Sequence, residues 1–441
     1  MATSTMNMET AIEQKKESPI RKIFSNHNFR MLWLGQGTSL VGDQFMMIAL
    51  PWLVLMTTGD PLALGIILAL QGIPRAVFML LGGAITDRFS QRMVMIVSDA
   101  LRFIMTASLV LMILTGNTSL WLLYVFALIF GTLSGFFLPA SQSIVPRIIG
   151  SDELMVGNSI VQGTAQLSVF IGPLLAGGLI ALFSNSHTSI SSSVSPTISG
   201  IALAFTFDAF TFIISILTLW LMRIESTQKA REMSNDVFSS IKEGILFVWK
   251  TPKIFMMFLL IAAINFLFAG PFFVGIPVMA NSRLAEGAAA FGILMAAYGI
   301  GNLIGIVMSG AIKIKPQNLG LISVAVIGMF GVGMALFGFI NSTWVGFAIL
   351  FLLGIMNGYI SVVIITMLQK NTPPEMMGRL MSITVFAMVG LVPISQAISG
   401  ELIKFSLEGL FLGCGILIII MAIVAAMSKE VRNFGVETPV N

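Results

Sequence analysis

Residues 64–85 read LGIILALQGIPRAVFMLLGGAI, and residues 291–312 read FGILMAAYGIGNLIGIVMSGAI. With residue n set beside n+227, Gly65, Ile66, Ala69, Gly72, Ile73, Gly83, Ala84 and Ile85 recur in the second stretch without a gap. A further correspondence, at an offset of 223, joins Gly135 to Gly358, Arg147 to Lys370, Asp152 to Glu375 and Ser159 to Ser382. Apolar segments match by chance, but nearly constant offsets in two regions point to a chain built from two repeated halves. Each quoted stretch is also long enough to cross a hydrocarbon core of ~30 Å, which takes ~20 residues.

Composition agrees. The chain is 56% hydrophobic and 10% charged, where a soluble protein carries about 25% charged residues. Apolar stretches between polar punctuation predict twelve spans near 29–56, 62–86, 93–115, 119–145, 154–183, 199–222, 253–280, 287–312, 318–340, 343–369, 377–403 and 408–428. Of the 24 Lys and Arg, only Arg283 and Lys404 fall in outer loops and only Arg75 and Arg102 lie deep within spans. Basic residues concentrate on the cytoplasmic side, so both termini are expected in the cytoplasm, in a multi-pass protein of a bacterial inner membrane. Residues 1–30 are polar and carry no cleavable signal pattern.

The expected organisation is all-α: a cytoplasmic tail (1–28), a six-helix bundle (29–222), a cytoplasmic connector (223–252), a second six-helix bundle (253–428) and a short tail (429–441). Residues 184–199 form a Ser-rich outer loop. In the connector, Phe238, Ile241, Ile245 and Val248 recur at helical spacing, as in a helix lying in the membrane interface. The basic balance follows from this topology and is not a nucleic-acid signal. Lone Cys414 and two histidines outside the apolar runs, His27 and His187, offer no metal-ligand spacing and no histidine-based catalytic centre. No nucleophile–base constellation and no phosphate-binding G-x-x-x-x-G-K-[ST] motif is visible, so neither an enzyme nor a nucleotide-driven pump is expected, and no cofactor. A 6+6 repeat is a signature of transporters whose halves rock around a central site.

Between the second and third spans stands GGAITDRFSQR (82–92). It resembles the loop 2–3 motif of the major facilitator superfamily, with Gly83, Asp87, Arg88 and Arg92 matching; Ser90 and Gln91 depart from it. In the second half Gly310 and Lys315 keep the pattern, while Ile314 takes the Asp position. A carboxylate at a helix end can pair with a basic group or with a helix N-terminus, and such a contact can form in one transport state and break in the other. The alternative is that these are ordinary loop charges.

GTAQLSVFIGPLLAGGLI (163–180) resembles the antiporter motif of the same superfamily through Gly163, Gly172, Pro173 and Gly177, with Ala176 replacing a glycine. The resemblance implies export by antiport; the alternative is a packing surface of small residues. FRMLWLGQGTSLVGDQFMMIALPWLV (29–54), SDALRF (98–103), IKEGILFVWKTP (241–252) and LQKNTPPEMMGRLMS (368–382) resemble a narrower branch, the twelve-helix drug:proton antiporters that include macrolide-efflux-like proteins. That branch also contains siderophore exporters and relatives handling lipids.

Asp43, Arg75, Asp99, Arg102 and Asp208 fall inside predicted spans. A charge at a helix centre costs roughly 2.5–3.5 kcal/mol on insertion scales, so such groups pair, line a cavity or act in coupling. Asp43 and Arg75 both lie ~18–20 Å below the outer surface at ~1.5 Å per residue, which predicts a pair between consecutive helices. Asp43 is read as the proton carrier, with a permanent structural ion pair as the alternative. Asp99 and Arg102, three apart, are expected to pair locally in structural or gating work, and Asp208, which lacks a sequence-local partner, is the next candidate for proton coupling after Asp43. The repeat places Ala269 and Asn302 opposite Asp43 and Arg75, which confines mid-depth charge to the first half. The resemblance implies a cavity lined by spans one, four, seven and ten, nominating Gln36, Asn265, Phe268 and Asn357, with Tyr298 and Gln396 as additions. The expected activity is proton-coupled export of small amphipathic organic compounds by a monomer in the bilayer. A dedicated exporter of an endogenous metabolite, such as a siderophore or lipid, is the second reading.

Overall fold

The computed structural model describes residues 19–88, 90–150, 153–185, 195–223, 246, 249, 251–311, 316–370, 384 and 388–428. A short helix α1 (Pro19–Ser25) precedes α2 (His27–Thr58), α3 (Pro61–Arg88), α4 (Gln91–Leu114), α5 (Leu120–Ile148), α6 (Leu154–Asn185) and α7 (Pro196–Leu221). Helix α8 runs Pro252–Gly270, passes through a π-helical turn at Pro271–Gly275 and ends as Ile276–Arg283. There follow α9 (Ala288–Ala311), α10 (Pro316–Phe337), α11 (Thr343–Lys370), α12 (Val392–Ile403) and α13 (Leu407–Met427). Eleven helices among the described residues are long and apolar enough to cross a membrane, and Met388–Ile403 is a shorter apolar helix. The rest of the expected span 377–403, and nearly all of the connector with its proposed interfacial helix, lie outside the described residues.

Local chemistry sets the helix ends. Asn26 caps α2 by accepting from the backbone N–H of Asn28 and Phe29, satisfying donors that a helix start leaves open. Gly59 closes α2 at φ +63°, a left-handed conformation that side chains resist. Asp60 then starts α3 by accepting from Leu62 N–H at 2.9 Å.

Helices α2 and α4 pack on α7, α2 also on α6, and α3 on α5. In the second half α9 packs on α11, and α10 on α13. Gly131 and Gly135 of α5 rest against the backbone of Gln71 and Arg75 in α3. Gly354 and Gly358 of α11 rest likewise against the backbone of Tyr298 and Asn302 in α9. These are the positions that the offsets of 227 and 223 equate, so the sequence repeat is also a packing repeat. In a membrane, close approach through small residues drives helix association.

The halves meet along two seams. On one, Gly65 and Gly72 of α3 receive Ala397, Gly400 and Pro393 of α12. On the other, Gly177 of α6 faces Gly292 of α9, where a Cβ on Gly292 would lie 3.1 Å from Gly177 Cα. Lys404 Nζ lies 3.8 Å from Asp60 across the same end. These glycine contacts stop at Gly72 and Gly299, about halfway along their helices, or ~17 Å in at ~1.5 Å per residue. Among the described residues the halves are thus closed at the end holding residues 59–60 and 404–406.

Candidate functional site

Four of the five intramembrane charges converge inside the first bundle. Two glycines explain how. Gly35 of α2 abuts Ser215 and Thr218, and Gly42 abuts Asp208 and Thr211, so α7 lies directly on α2. Helix α4 packs on the other side of α7, where Asp99 Oδ2 accepts from Ser215 Oγ at 2.6 Å. The Arg102 guanidinium donates to Asp99 Oδ1 and approaches Asp43 at 3.6 Å. It is also flanked by the rings of Phe137 and Phe212, at 4.3 and 4.7 Å from their centroids, a cation–π arrangement that suits a weakly hydrated planar cation.

The expected Asp43–Arg75 pair does not form; Arg102 is the partner of Asp43 instead. Equal depth is not adjacency: α3 leans on α5 and α12 and touches α2 little. The Asp99–Arg102 pair forms as expected, but as part of the same cluster as Asp43 rather than as a separate cytoplasmic device. Asp99 and Asp208 are fully buried, whereas the Asp43 side chain is 38% exposed. Among the described residues, neither carboxylate oxygen of Asp208 has a hydrogen-bond partner. Buried Ser39 Oγ, Thr106 Oγ1 and Gln36 Oε1 are likewise unpaired. Two carboxylates, Asp99 and Asp43, therefore share one guanidinium, with Asp208 as a third carboxylate beside α2.

The remaining candidates separate. Arg92 donates to the backbone oxygens of Leu219 and Trp220 at the C-terminal end of α7, where a cation suits the helix dipole; this contact stays within the first bundle. Gly83, Asp87 and Arg88 fall in the last turns of α3, and their side chains lie outside the described residues. In α6, Gly172 fits against Gln44 of α2 and Gly177 against α9, whereas Gly163 has open space around it.

Asn265 donates to Ile261 O of its own helix. Phe268 is buried against Phe272, Tyr298 and Phe330, so it packs the second bundle. Asn302 donates to Asn357 Oδ1 at 3.0 Å, and Asn357 borders a small cavity with Ile264, Ile327, Phe330 and Ile360. Gln396 is buried at the α3–α12 seam. Ser215, Phe137 and Phe212 were not legible as site residues, because their sequence context is that of any apolar span.

Known proteins share this architecture. Enterobactin exporter EntS of Escherichia coli O1:K1 / APEC is 26% identical over 354 residues, covering 80% of this chain and 79% of its own. A crystal structure of a mutant nucleoside transporter NupG superposes with a TM-score of 0.70 at 13% identity, covering 90% of this chain and 99% of that one. A bacterial homologue of the iron transporter ferroportin in an inward-facing state gives 0.69 at 17% identity, covering 93% and 100%. The profile of the Major Facilitator Superfamily matches residues 32–395. With two glycine-seamed bundles meeting at one end and a charge cluster buried in the first, this multi-pass membrane protein belongs to the Major Facilitator Superfamily.

Proposed function

We propose that this transporter is a proton-coupled exporter of small amphipathic organic compounds, acting by alternating access in a bacterial inner membrane. The observation that carries the reading is the ratio of three carboxylates to one guanidinium at Asp43, Asp99, Asp208 and Arg102. One cation cannot neutralise three buried anions, and a bare buried charge costs several kcal/mol, so the cluster binds and releases protons as its surroundings change. Asp43, half open, is its port to the cleft; Asp208, sealed and unpaired, is its inner member. With both termini cytoplasmic, the closed end faces outward and the cleft opens to the cytoplasm, the state that loads an export substrate. Pro173 and Gly177 of the antiporter-like segment support exchange by forming part of the seam between halves. The similarity to an enterobactin exporter favours a second reading, a dedicated siderophore exporter with the same coupling.

Purified protein in proteoliposomes tests this. Substrate accumulation is expected when a pH gradient is imposed and collapses when an ionophore dissipates it. Asp43→Asn should abolish gradient-driven accumulation while downhill exchange persists. Undiminished accumulation in Asp43→Asn would remove that residue from coupling, and gradient-independent accumulation by the wild type would refute proton coupling.

A further inference from the structure

Arg75 takes no part in the cluster. It stands midway along the 28-residue α3, is exposed, and makes no hydrogen bond or ion pair among the described residues. A guanidinium at this depth is costly unless something uses it. Its direction follows from the helix period. Gly65 and Gly72 on α3 face the second bundle, and Arg75, three residues on from Gly72, lies on that side. Ile73 and Val77, two positions to either side of Arg75, are exposed on the opposite face. Arg75 therefore lies on the side turned to the second bundle, one turn past the Gly72–Pro393 contact, the last glycine contact of that seam among the described residues.

Among the described residues, the second half offers Arg75 no counter-ion near its depth. The repeat position of Arg75 is Asn302, held to Asn357, and Tyr298 stands one turn away. The acidic residues described in the second half, Glu286, Glu401 and Glu408, all belong to the closed end. When the halves close over Arg75, its charge loses water and gains no described partner of opposite sign. Asp43 is already engaged by Arg102.

We propose that Arg75 is a substrate-binding residue and that the substrate carries an anionic group, a carboxylate or an acidic hydroxyl, which pairs with its guanidinium. This rests on the export reading above and narrows its substrate class. A planar guanidinium binds a carboxylate through two parallel hydrogen bonds. An anion on Arg75 leaves the Asp43–Arg102 contact intact.

The test uses full-length protein in proteoliposomes with three probes: anionic fluorescein, its neutral methyl ether–methyl ester, and cationic ethidium. Wild type should transport fluorescein, and Arg75→Gln should raise its KM about tenfold or more, the loss of one charge-assisted contact. Uptake of the neutral derivative should change less than about twofold. Arg75→Lys, which keeps charge without the fork, should fall between. Equal fluorescein transport by wild type and Arg75→Gln would overturn the proposal. Equal loss of all probes in Arg75→Gln and Arg75→Lys would assign Arg75 a structural role instead. Transport of ethidium alone by wild type would overturn the anion assignment while leaving export standing, and transport of no probe against any gradient would count against both.

Discussion

At the scale of single residues, Arg102 and Asp208 divide the cluster's work. Arg102 is 2% exposed, bonded to Asp99, close to Asp43 and enclosed by two aromatic rings. Removing its charge strands buried carboxylates, so Arg102→Gln is expected to destabilise the protein by about 3–5 kcal/mol. Asp208 has no partner to lose, so Asp208→Asn should alter stability by less than about 1 kcal/mol. Thermal unfolding of both variants in detergent checks the contrast. If Asp208→Asn proves the more damaging, Asp208 is a bonded structural group and not a vacant proton acceptor. The same logic corrects the sequence reading: Asp43, Asp99, Arg102 and Asp208 were all legible as costly charges, but their pairing was not. Pairing depends on which helices touch, and depth along a helix says nothing of that.

At the scale of elements, glycines decide which helices touch. Gly131 and Gly354 occupy equivalent places in α5 and α11, each against a neighbouring backbone carbonyl. A branched side chain at either must push two helices apart, and overpacking of this kind costs typically about 1–3 kcal/mol. Gly131→Val and Gly354→Val should therefore both lower thermal stability, whereas Gly163→Ala, with open space around it, should match wild type. Gly292 differs from these because its neighbours, Pro173 and Gly177, belong to the other half. Gly292→Val should leave each bundle folded but weaken the closed end, raising thiol labelling of a cysteine placed at Leu62 in a Cys414→Ala background. Unchanged labelling would show that the α6–α9 seam does not hold that end shut. The small-residue motif in α6 was readable in sequence, but not that its glycines serve two different contacts.

At the scale of the whole molecule, orientation joins the cluster and the seams to a direction of transport. Single cysteines at Ser191 and Ser226, in the Cys414→Ala background, should react with an impermeant maleimide from opposite faces: Ser191→Cys in intact cells and Ser226→Cys only in inverted vesicles. Labelling of both from one face would reject the topology, and the exit and entry ends assigned to the cleft would have to be re-argued.

What the sequence determined by itself is what hydrophobicity, charge and period encode locally: the membrane class, the helices and their approximate ends, the repeat, and the residues too polar to be in lipid without purpose. Each of these is a property of a segment. The tertiary structure alone decided that α2 lies on α7 rather than α3, that Arg102 instead of Arg75 neutralises Asp43, and that Phe268 packs a bundle interior. It also left Arg75, midway along α3, without a partner among the described residues. Those outcomes depend on the summed fit of many small-residue contacts between helices distant in sequence, in a solvent where apolar helix faces gain little by choosing one another over lipid. No single span carries that information, and the two halves acquire it only by packing together.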